Sequence, residues 1–200
     1  MPNGTELSGR KISLLSRMVG AIVLWLYKRA GWTSFGDIPE SRKFVILAVP
    51  HTSNWDFVNL LGLTHDLGIK VNFMAKQSLF RWPIGNFMRD MGGVSVNRSS
   101  STNVVQQMAD EFEKRDEFML TIAAEGTRGS VKEWKSGFYH IAVQAGVPIV
   151  VGMMDYKKKT GGFVTVIEPS GDYEADMKQI VEYYRSVTPR HPDKSMKHFS

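Results

Sequence analysis

Short apolar runs rich in β-branched residues alternate along this chain with stretches of helical period, and that alternation limits the folds open to it. Residues 43–49, KFVILAV, end at Pro50 and read as a buried strand. Ser53 or Asn54 can cap a helix that runs to about Asp66. Residues 70–75 (KVNFMA) and 93–97 (GVSVN) read as strands, the second entered through Gly92-Gly93. Residues 102–115 predict an amphipathic helix with Val104, Val105, Met108 and Phe112 on one side. Residues 117–124 (EFMLTIAA) predict a strand, and 137–145 a helix ended by Gly146. Residues 147–154 and 162–169 predict two more strands, paired across the hairpin-like turn DYKKKTGG. Asp172 can cap a last helix from Tyr173 to about Ser186. The expected fold is α/β, a mixed, largely parallel central sheet flanked by helices, preceded by an N-terminal apolar or amphipathic helix.

At 200 residues, with no repeat and no linker, the chain has the length of one ordinary domain. Residues 1–32 form an N-terminal segment, 33–190 a single α/β domain and 191–200 a basic tail. The absence of cysteine excludes disulfides, thiol nucleophiles and thiolate metal sites, and fits a reducing compartment. A formal charge of +5 points to acidic partners: anionic lipid, phosphorylated metabolites, an acidic carrier protein or nucleic acid. No zinc-finger or RNP pattern is present, so nucleic acid is not expected.

The N-terminal segment holds ten uncharged residues, Met18 to Tyr27, bounded by Arg17 and by Lys28-Arg29. That is too short to span a bilayer, which takes about 20 apolar residues. YKRAGW is also a poor signal-peptide cleavage region. Ile12, Leu15, Val19, Ile22 and Leu26 repeat at helical spacing, and Trp25, Tyr27, Lys28 and Arg29 suit a headgroup region. An interfacial helix is the favoured reading; a helix packed on its own domain is the alternative.

Open α/β sheets place their chemistry at the carboxyl ends of strands. Three polar segments fall there: PHTSNWD, NRSSS and AEGTRG. His51 and Asp56 are five residues apart, which is not one face of a helix. They meet only if His51 lies in the loop and Asp56 in the first helical turn. The carboxylate would then fix the imidazole tautomer and leave the other nitrogen as a base. Asp56 is equally suited to the helix N-terminus itself. Arg128 offers a bidentate fork for a phosphate, beside Gly126, where backbone can approach closely. Glu125 can orient Arg128 or bind a hydroxyl, and Arg98 and Lys135 are further cations for such a site. Each of these charges also suits a solvated surface. There is no G-x-S-x-G elbow, H-E-x-x-H or other metal-ligand spacing. A base without an enzyme nucleophile suits direct transfer of an activated acyl group to a substrate hydroxyl.

Taken in order, these segments resemble the glycerolipid acyltransferases, the lysophosphatidic-acid acyltransferase-like family. HTSNWD is similar to that family's H-x4-D motif, GGVSVNR to its glycine-led strand ending in arginine, AEGTR to its E-G-T-R motif and GVPIVV to its proline-bearing strand. The resemblance covers roughly residues 51–151. It implies fatty-acyl transfer from an acyl thioester, acyl-CoA or acyl carrier protein, to a hydroxyl of a lysophospholipid such as 1-acylglycerol-3-phosphate. Another lipid acceptor (an acylated amino acid or a glycolipid) and a non-catalytic lipid- or carrier-binding member are the alternatives. By the resemblance, His51 is the base and Asp56 its holder; Glu125, Gly126, Thr127 and Arg128 bind the acceptor, with Arg98 helping to hold its phosphate. It implies no metal or organic cofactor, a lipid acceptor in the membrane, an anionic membrane surface as partner and a peripheral, monotopic place on the cytoplasmic face. Pro50, Ala124 and Val151-Gly152 depart from the residues common in the family at those positions.

Overall fold

The computed structural model describes residues 6–7, 10–97, 101–129, 131 and 133–195. Arg98 therefore lies outside the described residues, as do residues 196–200 of the basic tail. The elements are, in chain order, β1 (Glu6–Leu7), β2 (Arg10–Lys11), α1 (Leu14–Arg29), β3 (Thr33–Phe35), β4 (Lys43–Ala48), α2 (Asn54–Asp66), β5 (Asn72–Lys76), α3 (Gly85–Asp90), β6 (Gly93–Val96), α4 (Ser101–Lys114), β7 (Phe118–Ile122), α5 (Gly137–Ala145), β8 (Ile149–Asp155), β9 (Thr160–Ile167) and α6 (Tyr173–Tyr184). A 3-10 turn, Gln77–Phe80, separates β5 from α3.

Strands β3 to β9 form one sheet in the order β3-β9-β8-β4-β7-β5-β6. The run β8-β4-β7-β5-β6 is parallel throughout, and the β8–β9 hairpin is the one antiparallel junction described in it. β4 is covered on both faces, which is why its sequence is continuously apolar rather than alternating. Val45 and Leu47 join one core with Met108, Phe112, Phe138 and Ile141 of α4 and α5. Phe44 and Ile46 point the other way, into a core with Leu60 of α2 and Val150 of β8. Tyr184 on α6 sends its hydroxyl between two central strands, donating to the carbonyls of Leu47 (3.0 Å) and Gly152 (2.9 Å). Gly152, one of the departures from the family pattern, thus anchors α6 at the point where the β8–β9 register shifts.

The β8–β9 turn is shorter than the glycines suggested. Asp155 Oδ1 accepts from the backbone N–H of Lys157 (2.9 Å) and Lys158 (3.0 Å), and β9 already begins at Thr160. Gly161 and Gly162 pair with β3, and a Cβ on Gly162 would stand 2.1 Å from the Phe35 carbonyl oxygen. Both glycines lie within β9, and Gly162 serves a close strand approach, not a turn.

Helix α1 has two unlike sides. One side packs on the domain: Ser16 donates to Asp90 (2.8 Å), Lys28 to Asp66 (2.6 Å), and Tyr27 lies in a small core with Trp32 and Leu63. The opposite side exposes Leu14 (71%), Leu15, Met18, Ile22 and Trp25 (63%). Among the described residues no helix is long and apolar enough to cross a membrane.

Candidate active site

The site is set by strand adjacency. β4 and β7 are parallel neighbours, with Leu47 opposite Ile122. Their following loops, carrying His51 and Glu125, therefore emerge side by side at one sheet edge. The contact between them spans 74 residues of sequence: the His51 backbone N–H donates to Glu125 Oε1 at 2.8 Å.

Ser53 is the N-cap of α2, its hydroxyl accepting from the Trp55 N–H at 3.1 Å, and Asp56 is the reciprocal partner of a capping box. Asp56 Oδ2 accepts from the N–H of Thr52 and of Ser53, both at 2.8 Å. The same oxygen lies 3.2 Å from His51 Nδ1. Cap and holder are thus one carboxylate performing both tasks. Its Oδ1 accepts from the Tyr156 hydroxyl at 2.6 Å. Burial pushes the Asp56 carboxyl up, but the hydrogen bonds from His51, Tyr156, Ser53 and Thr52 outweigh it and hold the group below the usual range. Asp56 is charged, fixes Nδ1 as the protonated nitrogen, and leaves Nε2 of the part-exposed His51 for the cleft.

Glu125 is buried, and its environment acts in the opposite direction. Burial raises its carboxyl above the ordinary value, with the His51 N–H working against that. Oε1 holds the His51 backbone, and Oε2 is buried without a hydrogen-bond partner among the described residues. Glu125 thus bonds to the histidine loop, while the Arg128 guanidinium bonds to Asn54 Oδ1.

Four of the residues expected to hold an acceptor line one cleft with His51: Gly126, Thr127, Arg128 and Lys135. Gly126 has φ +63, and a Cβ there would stand 3.0 Å from the Lys135 side chain, including Nζ. A left-handed residue without a side chain lets the lysine fold over the loop. Cations and histidine share the cleft with apolar walls that include Phe57, Phe73, Met74, Leu79, Met88 and Val105; its volume is about 1610 Å³. Among the described residues no group of three or more His, Asp or Glu is placed to hold a metal ion.

Sequence reasoning passed over Tyr156 and Asn59. Tyr156 sat in a segment read as a turn, 100 residues from the carboxylate it contacts, and nothing local in the sequence marks it.

The geometry assigns Glu125 to bracing the His51 loop, and this has a stability consequence. Because its carboxyl is raised in the folded state, the native protein loses stability as pH climbs from the ordinary carboxylate range through that raised value. Glu125→Gln keeps an acceptor for the His51 N–H without the buried charge. At neutral pH it is expected to be at least as stable as the parent in denaturant unfolding, whereas Glu125→Ala should lose about 1–3 kcal/mol. A Glu125→Ala protein as stable as the parent would remove the brace.

The sequence pattern of the acyltransferase family matches residues 36–154, more than half of the chain. The chain is 32% identical over 164 residues to 1-acyl-sn-glycerol-3-phosphate acyltransferase beta of Homo sapiens, covering 72% of this chain and 58% of that protein. It is 28% identical over 149 residues to the 1-acyl-sn-glycerol-3-phosphate acyltransferase of Haemophilus influenzae, covering 66% and 59%. The chain thus spans less than two thirds of the length of these relatives. Its fold is similar to that of the 1-acyl-sn-glycerophosphate (LPA) acyltransferase PlsC from Thermotoga maritima, with a TM-score of 0.57 at 20% identity over 84% of this chain and 78% of that one. With the family pattern running from before β4 into β8 and so across both loops that build the site, the chain belongs to the acyltransferase family.

Proposed function

We propose that this protein transfers a fatty acyl group from an acyl thioester, acyl-CoA or acyl carrier protein, to a hydroxyl of a lysophospholipid such as 1-acylglycerol-3-phosphate. The observation that carries the reading is the His51–Asp56 pair opening onto a cleft that holds both cations and apolar walls. His51 Nε2 takes the proton of the acceptor hydroxyl as its oxygen attacks the thioester carbonyl. The C–S bond then breaks, and the imidazolium returns the proton to the departing thiolate. Asp56 stabilises the imidazolium in between. The hydroxyls beside the histidine are buried in structural roles: Ser53 caps α2, and Thr52 Oγ1 accepts from the His191 N–H at 3.2 Å. That favours the acceptor's own hydroxyl as the nucleophile. The thioester arrives activated, so the scheme uses no resident metal or organic cofactor.

Arg128, Lys135 and Thr127 face the acceptor's phosphate, and the apolar walls take acyl chain. Base catalysis supplies about 10² to 10⁴ in rate, and holding two substrates in register supplies much of the rest. Arg98, outside the described residues, belongs to the same proposal as a further phosphate partner. The outward face of α1, flanked by Arg17 and Arg29, docks the enzyme peripherally on anionic membrane. The lack of cysteine favours the cytoplasmic face.

A labelled acyl thioester offered with 1-acylglycerol-3-phosphate, an acylated amino acid and a glycolipid tests the acceptor. The phosphorylated acceptor should be preferred, and Arg128→Ala should raise its KM about tenfold or more. Equal use of a neutral acceptor, or an unaffected KM, would contradict the phosphate assignment. For the membrane, the double variant Leu15→Glu, Trp25→Glu should lose flotation with anionic vesicles while remaining folded. Undiminished flotation would place the docking surface elsewhere.

A further inference from the structure

Behind the His51–Asp56 pair lies a second layer that the H-x4-D motif does not contain. Tyr156 is the first residue after β8. Its hydroxyl donates to Asp56 Oδ1 at 2.6 Å and accepts from Asn59 Nδ2 at 3.0 Å. Asn59 lies one helical turn beyond Asp56 on α2, so a single helix supplies the carboxylate and the amide that grip the phenol from two sides.

The phenol is itself held from three directions. Trp32 meets its ring edge to face, centroids 5.0 Å apart. The Arg190 guanidinium stands 5.7 Å from the Tyr156 ring centre and 5.5 Å from that of Trp55. The Tyr156 backbone N–H donates to the Thr188 carbonyl at 2.9 Å, and immediately after Arg190 chain contact is renewed, His191 N–H donating to Thr52 Oγ1 at 3.2 Å. The segment after α6 thus straps over Tyr156 and ends on the loop that carries His51. Burial and the Asp56 charge both raise the Tyr156 hydroxyl above its ordinary value, so it remains a proton donor.

We infer that Tyr156 is a positioning residue for acyl transfer: its hydroxyl, backed by Asn59, fixes the Asp56 carboxylate so that Oδ2 faces His51. A carboxyl group turns easily about its terminal bond. The Thr52 and Ser53 N–H groups hold Oδ2, and Tyr156 holds the other oxygen. Donation to Oδ1 also draws charge away from Oδ2 and so moderates the pull on the imidazolium. Tyr156 does not line the cleft, so it acts through Asp56 and not on substrate. Among the described residues, the other charged groups around the pair include Glu125 and Arg128 from the loop after β7, Lys135 before α5 and Arg190 in the strap.

This inference rests on the acyl-transfer reading for its kinetic consequence, but not for its structural one. Tyr156→Phe keeps the ring, and with it the contacts to Trp32 and Arg190. With an acyl thioester and 1-acylglycerol-3-phosphate, kcat should fall about tenfold while the acceptor KM stays within about twofold. The acid limb of the pH–rate profile should move to higher pH, because the unshared carboxylate charge favours the imidazolium. An NMR titration of the His51 ring in the folded variant, which needs no turnover, should show its midpoint moved upward from that of the parent, with the other histidines unmoved. Should the parent turn over no acceptor, the acyl-transfer reading fails and this titration still decides the role of Tyr156. An unmoved His51 midpoint overturns the inference, even where kcat and thermal stability fall together, since that pattern marks a structural role alone.

Discussion

The Asp56 carboxylate is the point on which the site depends. It is buried, and it collects the N–H of Thr52 and Ser53, the Tyr156 hydroxyl and the Nδ1 side of His51. An isolated buried carboxylate would be driven toward its neutral form. Four directed donors reverse that, and the charged group then organises everything that touches it. The same atoms start α2, contact the imidazole and tie the β8–β9 turn to the loop that carries His51. The cap of α2 and the placement of the His51 ring share one carboxylate.

A second buried carboxyl lies behind the same histidine with the opposite tendency. Asp56 is held ionised by donors, while Glu125 is pushed up by burial with one oxygen unmatched. Two acidic groups whose surroundings move them apart can serve different roles within one site. Here Asp56 meets the imidazole and Glu125 meets the backbone of the same residue. His51 is therefore fixed both at its ring and at its main chain, which is what a base aimed at a bound hydroxyl needs. The parallel pairing of β4 with β7 makes this possible, because it sets the two loops at one edge without any local sequence contact.

Much of this arrangement was legible in the sequence, for identifiable reasons. Strands such as β4 and β7 are buried on both faces and so appear as unbroken apolar runs. Ser53 and Asp172 declared the starts of α2 and α6 through capping chemistry, and Gly146 the end of α5. Short elements were not seen: β3 is three residues long and α3 six, too short to display a period. The Gly161-Gly162 pair misled because glycine signals both turns and close approach, and only the neighbouring strand tells which. Within the site, His51, Asp56, Gly126, Thr127, Arg128 and Lys135 were found together. The brace role of Glu125 and the whole contribution of Tyr156 were not, since each depends on a contact across many tens of residues.

The central claim is that His51, held by Asp56, is the base of a direct acyl transfer. Single-turnover acyl transfer by His51→Ala tests it most directly, with circular dichroism confirming that the variant is folded. The account predicts a loss of about 10² to 10⁴ in the rate of the chemical step, with acceptor binding retained. Transfer at the parent's rate by a folded His51→Ala protein would contradict it.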